Sequence, residues 1–440
     1  MSYVPHTPDE IRFMLKRIGL TSTQDLFEVV PASLRTRAEL KLPPALGEQA
    51  LVRYLGRLAD RNLSLSRVPG FLGAGAYHHF IPSAVDSLAS RSEFSTAYTP
   101  YQAEVSQGTL QAIFEFQTMV CQLTGLDVAN ASLYDGASAT AEATLMAVRA
   151  TRRRRVYLSR GLHPHYAQVV RTYLSGLETE VEVLPVNEDG RTDVRPVSDD
   201  TAAVVVQYPN FFGCVEPLGA LADAAHEAGA LLVSTTAEPL ALALLRSPGD
   251  LGADVACGEA QSFGVPVSFG GPFVGFLATR QKLVRQLPGR LVGETLDARG
   301  ERAFVMTLTT REQHIRREHA TSNICTNQGL CALRVTIYLA LLGASGLRAL
   351  AGRNLALAAY ARQRLSASGL RLVHSAPTFN EFVVEVPGIS ARYETIVAHG
   401  LLPGVLLEKY EPSRRDQLLV CTTEAVGREE IDRLARELAA

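Results

Sequence analysis

The chain has 440 residues, of which 47% are hydrophobic and 20% are charged, and its formal net charge is -2 at pH 7. A chain of this length buries roughly 75% of the surface that its unfolded form exposes, so it can build a large core. The nearly neutral charge excludes a general attraction to nucleic acid or anionic membranes, and no uninterrupted apolar run approaches the roughly 20 residues that span a bilayer.

Residues 1–70 predict an N-terminal helical arm that lies on another surface. Its first helix has an acidic start, an apolar face and a stop at Gly19. The apolar side chains of this face are Ile11, Met14, Leu15 and Ile18. The first 13 residues contain neither a basic patch followed by an apolar stretch nor a cleavage-like site, which predicts a cytoplasmic protein.

Residues 71–326 predict a large α/β domain. A long helix ends at Gly125, and from 156 to 278 short β-branched runs alternate with helical stretches. This alternation is typical of a mostly parallel sheet that helices cover on both faces. Ligands of such sheets bind beyond the carboxyl ends of the strands. The segments expected around this mouth are 208–210, 235–238 and 257–261.

Residues 327–440 predict a smaller C-terminal α/β domain. Two long helices, at 330–343 and 346–367, are rich in leucine, alanine and arginine. They precede short strands around 371–374, 381–386 and 418–421 and a final helix from Gly427.

The cysteines and histidines do not predict a metal site. The six cysteines form no CxxC pair, and we expect six separate reduced thiols. The histidine pairs at 78–79 and 163–165 have no acidic or thiol neighbours at ligand spacing.

Four polar segments each allow two interpretations. Residues 135–140 are typical of a phosphate site at a helix N-terminus, but a plain N-cap by Asp135 or Ser138 is favoured. The glycine-rich residues 262–280 predict either close approach to a ligand or a turn between two strands. Residues 310–329 favour a solvated helix face. The tyrosines of residues 96–104 indicate either a pocket wall or a surface loop.

Five segments together resemble the N-terminal half of the glycine cleavage system P proteins. Two of them are long and specific, and they begin TAYTPYQAEVSQG and TREQHIRREHATSNICT. The segments are 71–86, 96–118, 133–143, 261–280 and 310–326. The resemblance implies the aminotransferase-like fold of pyridoxal-phosphate enzymes (fold type I), with a large mostly parallel sheet domain and a smaller C-terminal α/β domain. It also implies the separate first subunit of a two-subunit enzyme.

The resemblance further implies that this chain has no catalytic residue of its own. In the catalytic half of the family, the cofactor lysine lies in a His-Lys-Thr-Phe segment, and Gln261 stands at that position here. An amide nitrogen lacks the nucleophilic lone pair of an amine. The acidic partner of the pyridine nitrogen is also missing, because Thr235, Thr236 and Ala237 follow the strand. No cofactor-binding residue is therefore expected on this chain.

The implied activity belongs to a complex with a lysine-bearing second subunit, which binds the pyridoxal phosphate. That complex decarboxylates glycine and transfers the aminomethyl group to the lipoyl group of H protein, and a two-plus-two heterotetramer is expected. Six side chains are predicted to project toward the partner's pocket: Tyr98, Thr99, Tyr101, Thr321, Ser322 and Asn323.

Two alternatives stay open. The chain is a scaffold or regulatory subunit without any residue in an active site, or it is an autonomous pyridoxal-phosphate enzyme of other specificity. The second alternative requires one of only four lysines to reach the pocket, and none lies beside a strand end. These lysines are Lys16, Lys41, Lys282 and Lys409.

Overall fold

The structure is a computed structural model that describes residues 6–35, 41–95 and 97–440. Parts of the predicted arm and Thr96 of the tyrosine-bearing segment lie outside the described residues. The chain divides into two compact units, Met1–Leu63 and Ser64–Ala440. The domain boundaries after residues 70 and 326 stay predictions.

The described part of the N-terminal unit consists of short helices with mostly exposed side chains. The helices are α1 Pro8–Arg17, α2 Ala32–Arg35 and α3 Glu48–Ala59. Thr7 and Glu10 form a capping box at the start of α1, which confirms the predicted first helix. Among the described residues of this unit, Leu15 alone is buried.

The C-terminal unit contains a seven-stranded sheet. Its strands are β1 Val128–Ala129, β2 Arg155–Ser159, β3 Glu180–Leu184, β4 Thr201–Gln207, β5 Leu231–Thr236, β6 Val255–Glu259 and β7 Gly275–Thr279. The strand order is β1-β7-β6-β5-β4-β2-β3. The neighbouring pairs β6-β5, β5-β4, β4-β2 and β2-β3 are parallel, and β7 is antiparallel to both of its neighbours, β1 and β6. The predicted mostly parallel α/β sheet is confirmed.

Helices cover this sheet. They are α4 Ser83–Ala89, α5 Gln107–Thr124, α6 Gly136–Thr151, α7 Pro164–Leu174 and α8 Leu218–Glu227. Every residue of β4 is buried, as expected for a strand with apolar neighbours on both faces. Helix α5 ends where predicted, because Gly125 adopts the left-handed conformation that ends many helices.

The strands β8 Val292–Leu296 and β9 Arg302–Met306 pack against α5, and α9 Gln313–Arg316 follows them. The elements after α9 form a smaller α/β layer. They are α10 Gly329–Ala367, β10 Arg371–Leu372, β11 Glu381–Glu385, α11 Ile389–Ala398, β12 Val405–Leu406, β13 Gln417–Cys421 and α12 Arg428–Ala439. An antiparallel sheet has the order β10-β11-β13-β12, and β8 pairs with β9. These elements confirm the predicted strands and final helix.

Helix α10 merges the two predicted long helices across a kink at Gly343. By length and apolar composition it is the one described helix that resembles a membrane span. Its inner face packs against α4, α5 and α12, as a core helix does.

Candidate functional site

Polar side chains meet at the carboxyl ends of β5 and β6, as predicted, but they are buried. The hydroxyl oxygens of Thr235 and Thr140 lie 3.1 Å apart, and the Thr235 hydroxyl oxygen is 3.4 Å from the sulfur of Cys257. Burial raises the pKa of the Cys257 thiol to about 11. This cluster holds neutral hydroxyl and thiol groups, and none of them can form an ion pair with a protonated ring nitrogen.

Gln261 is 2% exposed, and its amide is bound by backbone groups. Its Oε1 accepts a hydrogen bond from the N–H of Tyr77 at 2.9 Å. Its Nε2 donates to the carbonyl oxygens of Tyr77 at 3.0 Å and Val265 at 2.7 Å. The side chain therefore ties the loop before α4 to the loop after β6. It offers neither a free donor nor a nucleophile.

The N-terminus of α6 is capped from within the chain. Asp135 accepts a hydrogen bond from the N–H of Ser138 at 2.7 Å, which confirms the predicted N-cap. The N–H of Gly136 donates to Glu259 at 2.9 Å. Sequence reasoning missed Glu259, although a carboxylate at the end of the apolar strand β6 is a recognisable signal.

A second group that sequence reasoning missed is a buried acid–base cluster. The two ring nitrogens of His79 lie 2.9 Å from Glu238 and 2.8 Å from Glu424. Burial opposes protonation of His79, but the two carboxylates prevail and raise its pKa to about 10. Burial likewise opposes ionisation of Glu424, but His79 lowers its pKa to about 2. His79 is thus a partner in a buried ion pair.

Glu381 belongs to the same region but titrates differently. It accepts hydrogen bonds from the Tyr77 hydroxyl and the Ala74 N–H, each at 2.7 Å. Burial raises its pKa to about 7, against the effect of these hydrogen bonds. Within the described ranges, no group of three or more histidine, cysteine, aspartate or glutamate residues has the geometry to hold a metal ion.

A cavity of about 880 Å³ lies beside this cluster. Its walls are the loops 77–82 and 265–267 and the middle of α10. Gln261, His78 and Glu424 reach it, whereas no lysine lines it. The two lysines of the unit Ser64–Ala440, Lys282 and Lys409, have exposed side chains and do not line this cavity.

The glycine-rich segment 262–280 connects β6 to its antiparallel neighbour β7. The interpretation as a turn between two strands is confirmed. Residues 313–319 of the segment 310–329 are exposed, as the solvated interpretation predicts. They lie on the four-residue helix α9 and the helical turn after it, rather than on one regular helix. Arg311 donates hydrogen bonds to the carbonyl oxygens of Leu287 and Gly289 in a neighbouring loop.

The tyrosine-bearing segment lies at the surface. Tyr98 is 89% exposed and Tyr101 is 60% exposed, whereas Thr99 is half-buried. Tyr98 and Asn327 line a common cleft of about 260 Å³. The hydroxyl of Tyr101 accepts a hydrogen bond from Arg290 at 3.4 Å.

Arg290, a residue that sequence reasoning did not identify, connects Tyr101 to residues 325–327. Its guanidinium donates to Thr326 and Asn327, each at 3.1 Å, and to the carbonyl oxygen of Cys325 at 3.0 Å. This arginine is buried, and its Nε lies 3.8 Å from a carboxylate oxygen of Glu312. Tyr101 is therefore connected to the stretch that directly follows the predicted loop 321–323.

Hydrogen bonds fix part of the predicted loop 321–323, and the rest is open to solvent. The Ser322 hydroxyl accepts a hydrogen bond from the N–H of Ile324 at 3.0 Å, and the N–H of Thr321 donates to the Arg311 carbonyl oxygen at 3.0 Å. Asn323 is exposed, and Thr321 and Ser322 are half-buried. The structure thus places the six predicted side chains in two surface segments, which Arg290 links through Tyr101.

Residues 1–438 match the family model of the glycine cleavage system P-protein. The chain belongs to this family. A probable glycine dehydrogenase (decarboxylating) subunit 1 from Desulfitobacterium hafniense is 49% identical over 440 residues, which cover 99% of this chain and 98% of that protein.

Solved structures agree with membership of the P-protein family. A crystal structure of glycine decarboxylase (P-protein) of the glycine cleavage system, in inhibitor-bound form, has a TM-score of 0.92 and 45% identity, covering 100% of this chain and 99% of that one. A sphingosine-1-phosphate lyase from Burkholderia pseudomallei has a TM-score of 0.65 at 17% identity, covering 93% of each chain, and shows the fold alone. The predicted fold type I is confirmed, and the family and its fold support pyridoxal phosphate as the cofactor.

Proposed function

We propose that this chain is the cofactor-free subunit of a two-subunit glycine decarboxylase. The relatives' names support a subunit role, because they describe subunit 1 of a decarboxylating glycine dehydrogenase. The single observation that carries the proposal is Gln261, whose buried amide stands at the lysine position and is bound by the backbone of Tyr77 and Val265.

Pyridoxal phosphate does not fit the residues at this place. The cofactor needs an amine for its aldehyde, a carboxylate for its ring nitrogen and a site for its phosphate. The chain offers the amide of Gln261, the hydroxyl of Thr235, and an α6 N-terminus that the carboxyl group of Glu259 already contacts. The cofactor therefore belongs to a homologous lysine-bearing partner subunit.

The reaction of the complex is the decarboxylation of glycine and transfer of the aminomethyl group to the lipoyl group of H protein. The exposed Tyr98 and Asn323 suit contacts with a second protein, because neither side chain is buried by this chain. In this proposal Tyr98, Thr99, Tyr101, Thr321, Ser322 and Asn323 shape the entrance of the partner's pocket. Arg290 is a positioning residue that holds Tyr101 against residues 325–327.

The proposed assembly is a cytoplasmic heterotetramer of two copies of each subunit. Reconstitution tests it directly. The chain and its partner are purified separately and each is studied alone and mixed, with pyridoxal phosphate added. One portion of each sample is reduced with borohydride and analysed by mass spectrometry. A second, unreduced portion receives glycine and oxidised lipoylated H protein, and its carbon dioxide release is measured. We expect reduced cofactor on the partner only, and full turnover only with both chains.

Two results would count against the proposal. Reduced cofactor on Lys16, Lys41, Lys282 or Lys409 together with turnover by the solitary chain would identify an autonomous enzyme. A partner that is fully active by itself would favour the scaffold role. The hydrogen bonding of the Gln261 amide by the backbone is compatible with that role too.

A further inference from the structure

The carboxyl group of Glu259 collects backbone N–H groups from three separate segments. Its Oε2 accepts from Gly136 at 2.9 Å, at the N-terminus of the 16-residue helix α6. Its Oε1 accepts from Gln261 at 3.1 Å and from Val274 at 2.9 Å. The side chain is 1% exposed, so these donors replace water completely. Three N–H groups thus converge on one carboxyl group, and burial raises the pKa of this group to about 8 against the effect of these hydrogen bonds.

This arrangement has the chemistry of a phosphate site. Backbone N–H groups at a helix N-terminus, together with donors from adjoining turns, are the common way in which proteins hold an anion. Here the acceptor oxygens belong to a carboxyl group at the end of the neighbouring strand β6. It stands beside Gln261 and near Thr235, the two positions that already lack the groups a pyridoxal phosphate needs.

Close packing prevents Glu259 and a phosphate from sharing this place. A Cβ atom on Gly136 would lie 2.4 Å from the hydroxyl oxygen of Tyr166 and 3.0 Å from the Cβ of Glu259. Even one carbon atom meets its neighbours at this point of α6. A phosphate group is far larger, so it can enter only where a side chain has been removed.

We propose that the carboxyl group of Glu259 fills the position of a phosphate group, and that removing its side chain opens a site for inorganic phosphate. The inference goes beyond the proposed subunit role, because it says how the chain stays closed to a phosphate-bearing cofactor. It depends on no reaction, since anion binding is measured on the chain itself.

The test uses full-length Glu259→Ala and the wild-type chain, titrated with inorganic phosphate and, separately, with sodium chloride at equal ionic strength. Calorimetry and thermal unfolding are the readouts. We expect the variant to bind one phosphate per chain and to regain several degrees of a Tm that the substitution lowered, whereas the wild type shows no saturable response.

Glu216→Ala is the matched control. Glu216 is also buried and accepts three hydrogen bonds, from the Thr192 N–H, the Thr192 hydroxyl and the Asn210 amide. Only one of these donors is a backbone N–H, so its removal creates no comparable anion site. We expect a lower Tm for this variant without saturable phosphate binding.

Glu259→Gln separates the effect of added space from the effect of a lost acceptor oxygen. The glutamine fills the same volume but directs N–H groups toward at least one backbone donor, so we expect a lower Tm and no phosphate response. If Glu259→Ala is insoluble in chloride, its refolding yield is compared in phosphate and in chloride. Recovery only in phosphate supports the proposal, and recovery in neither overturns it.

Equal phosphate responses of Glu259→Ala and Glu216→Ala would also overturn the proposal, as would saturable binding by the wild type. Neither result would affect the proposed subunit role. That role is decided by which subunit carries the covalently reduced cofactor.

Discussion

At the scale of single residues, the proposed subunit role means that hydrogen-bonded side chains stand where a cofactor-binding subunit has reactive groups. Gln261 has the length to reach Tyr77 and Val265, and Thr235 has the size to pack against Thr140 and Cys257. Each substitution leaves a polar group that the fold satisfies internally, which avoids the cost of a buried unpaired group. Loss of reactivity at this place therefore need not reduce stability.

The buried His79 leads to a prediction about stability and pH. We expect His79→Gln to lower the free energy of unfolding by about 3 kcal/mol near pH 6, because it leaves the carboxylates of Glu238 and Glu424 without their cation. Urea denaturation at several pH values measures the loss. The control is His165→Gln, because His165 is exposed and a substitution there removes no buried partner.

The sign of the pH dependence follows from the two shifted pKa values. The stabilisation by His79 is complete below the ordinary histidine pKa of 6.5 and is lost as the pH rises toward about 10. The stabilisation by Glu424 is complete above the ordinary value of 4.5 and is lost as the pH falls toward about 2. The difference between wild type and His79→Gln should therefore shrink toward both pH 3 and pH 10, and a pH-independent difference would contradict this assignment.

At the scale of elements, the kink of α10 depends on the backbone of one glycine. Gly343 has a φ of 58° and a ψ of 179° inside a helix of 39 residues. Residues other than glycine rarely adopt these backbone angles. The kinked helix packs against α4 and α5 and also against α12.

We expect Gly343→Ala to destabilise the chain by about 1 kcal/mol, because of backbone strain alone. No heavy atom lies within 4 Å of a Cβ at this position, so a clash does not contribute. Gly352→Ala is the control in the same helix, with equally open space and no positive φ. It should leave stability unchanged or raise it by up to about 1 kcal/mol. Equal effects in denaturant unfolding would show that the kink needs no glycine.

At the scale of the whole molecule, the proposed function depends on contacts with a partner subunit by two exposed segments, which contain Tyr98 and Asn323. We expect Tyr98→Phe and Asn323→Ala each to lower kcat/KM of the reconstituted complex about 5- to 10-fold, the usual effect of one lost hydrogen bond. Both side chains are exposed, so the unfolding free energy of the isolated chain should stay unchanged.

Tyr54→Phe is the control for this experiment, because it removes the same hydroxyl from an exposed tyrosine of the N-terminal unit. It should leave kcat/KM as it is. Unchanged activity of Tyr98→Phe and Asn323→Ala would remove both loops from the partner's pocket and favour the scaffold role.

The sequence by itself determined the alternation of strands and helices, an N-cap at Asp135 or Ser138, and a total of only four lysines. These properties depend on local periodicity and on the identity of single residues, such as Gln261. Only the tertiary structure decided which groups form hydrogen bonds with the buried side chains of Gln261 and Glu259. Tyr77 lies 184 positions from Gln261 and Gly136 lies 123 positions from Glu259, and local patterns carry no information about such distant contacts. Arg290 and the His79 cluster were missed for the same reason, because their function comes from packing between elements far apart in sequence.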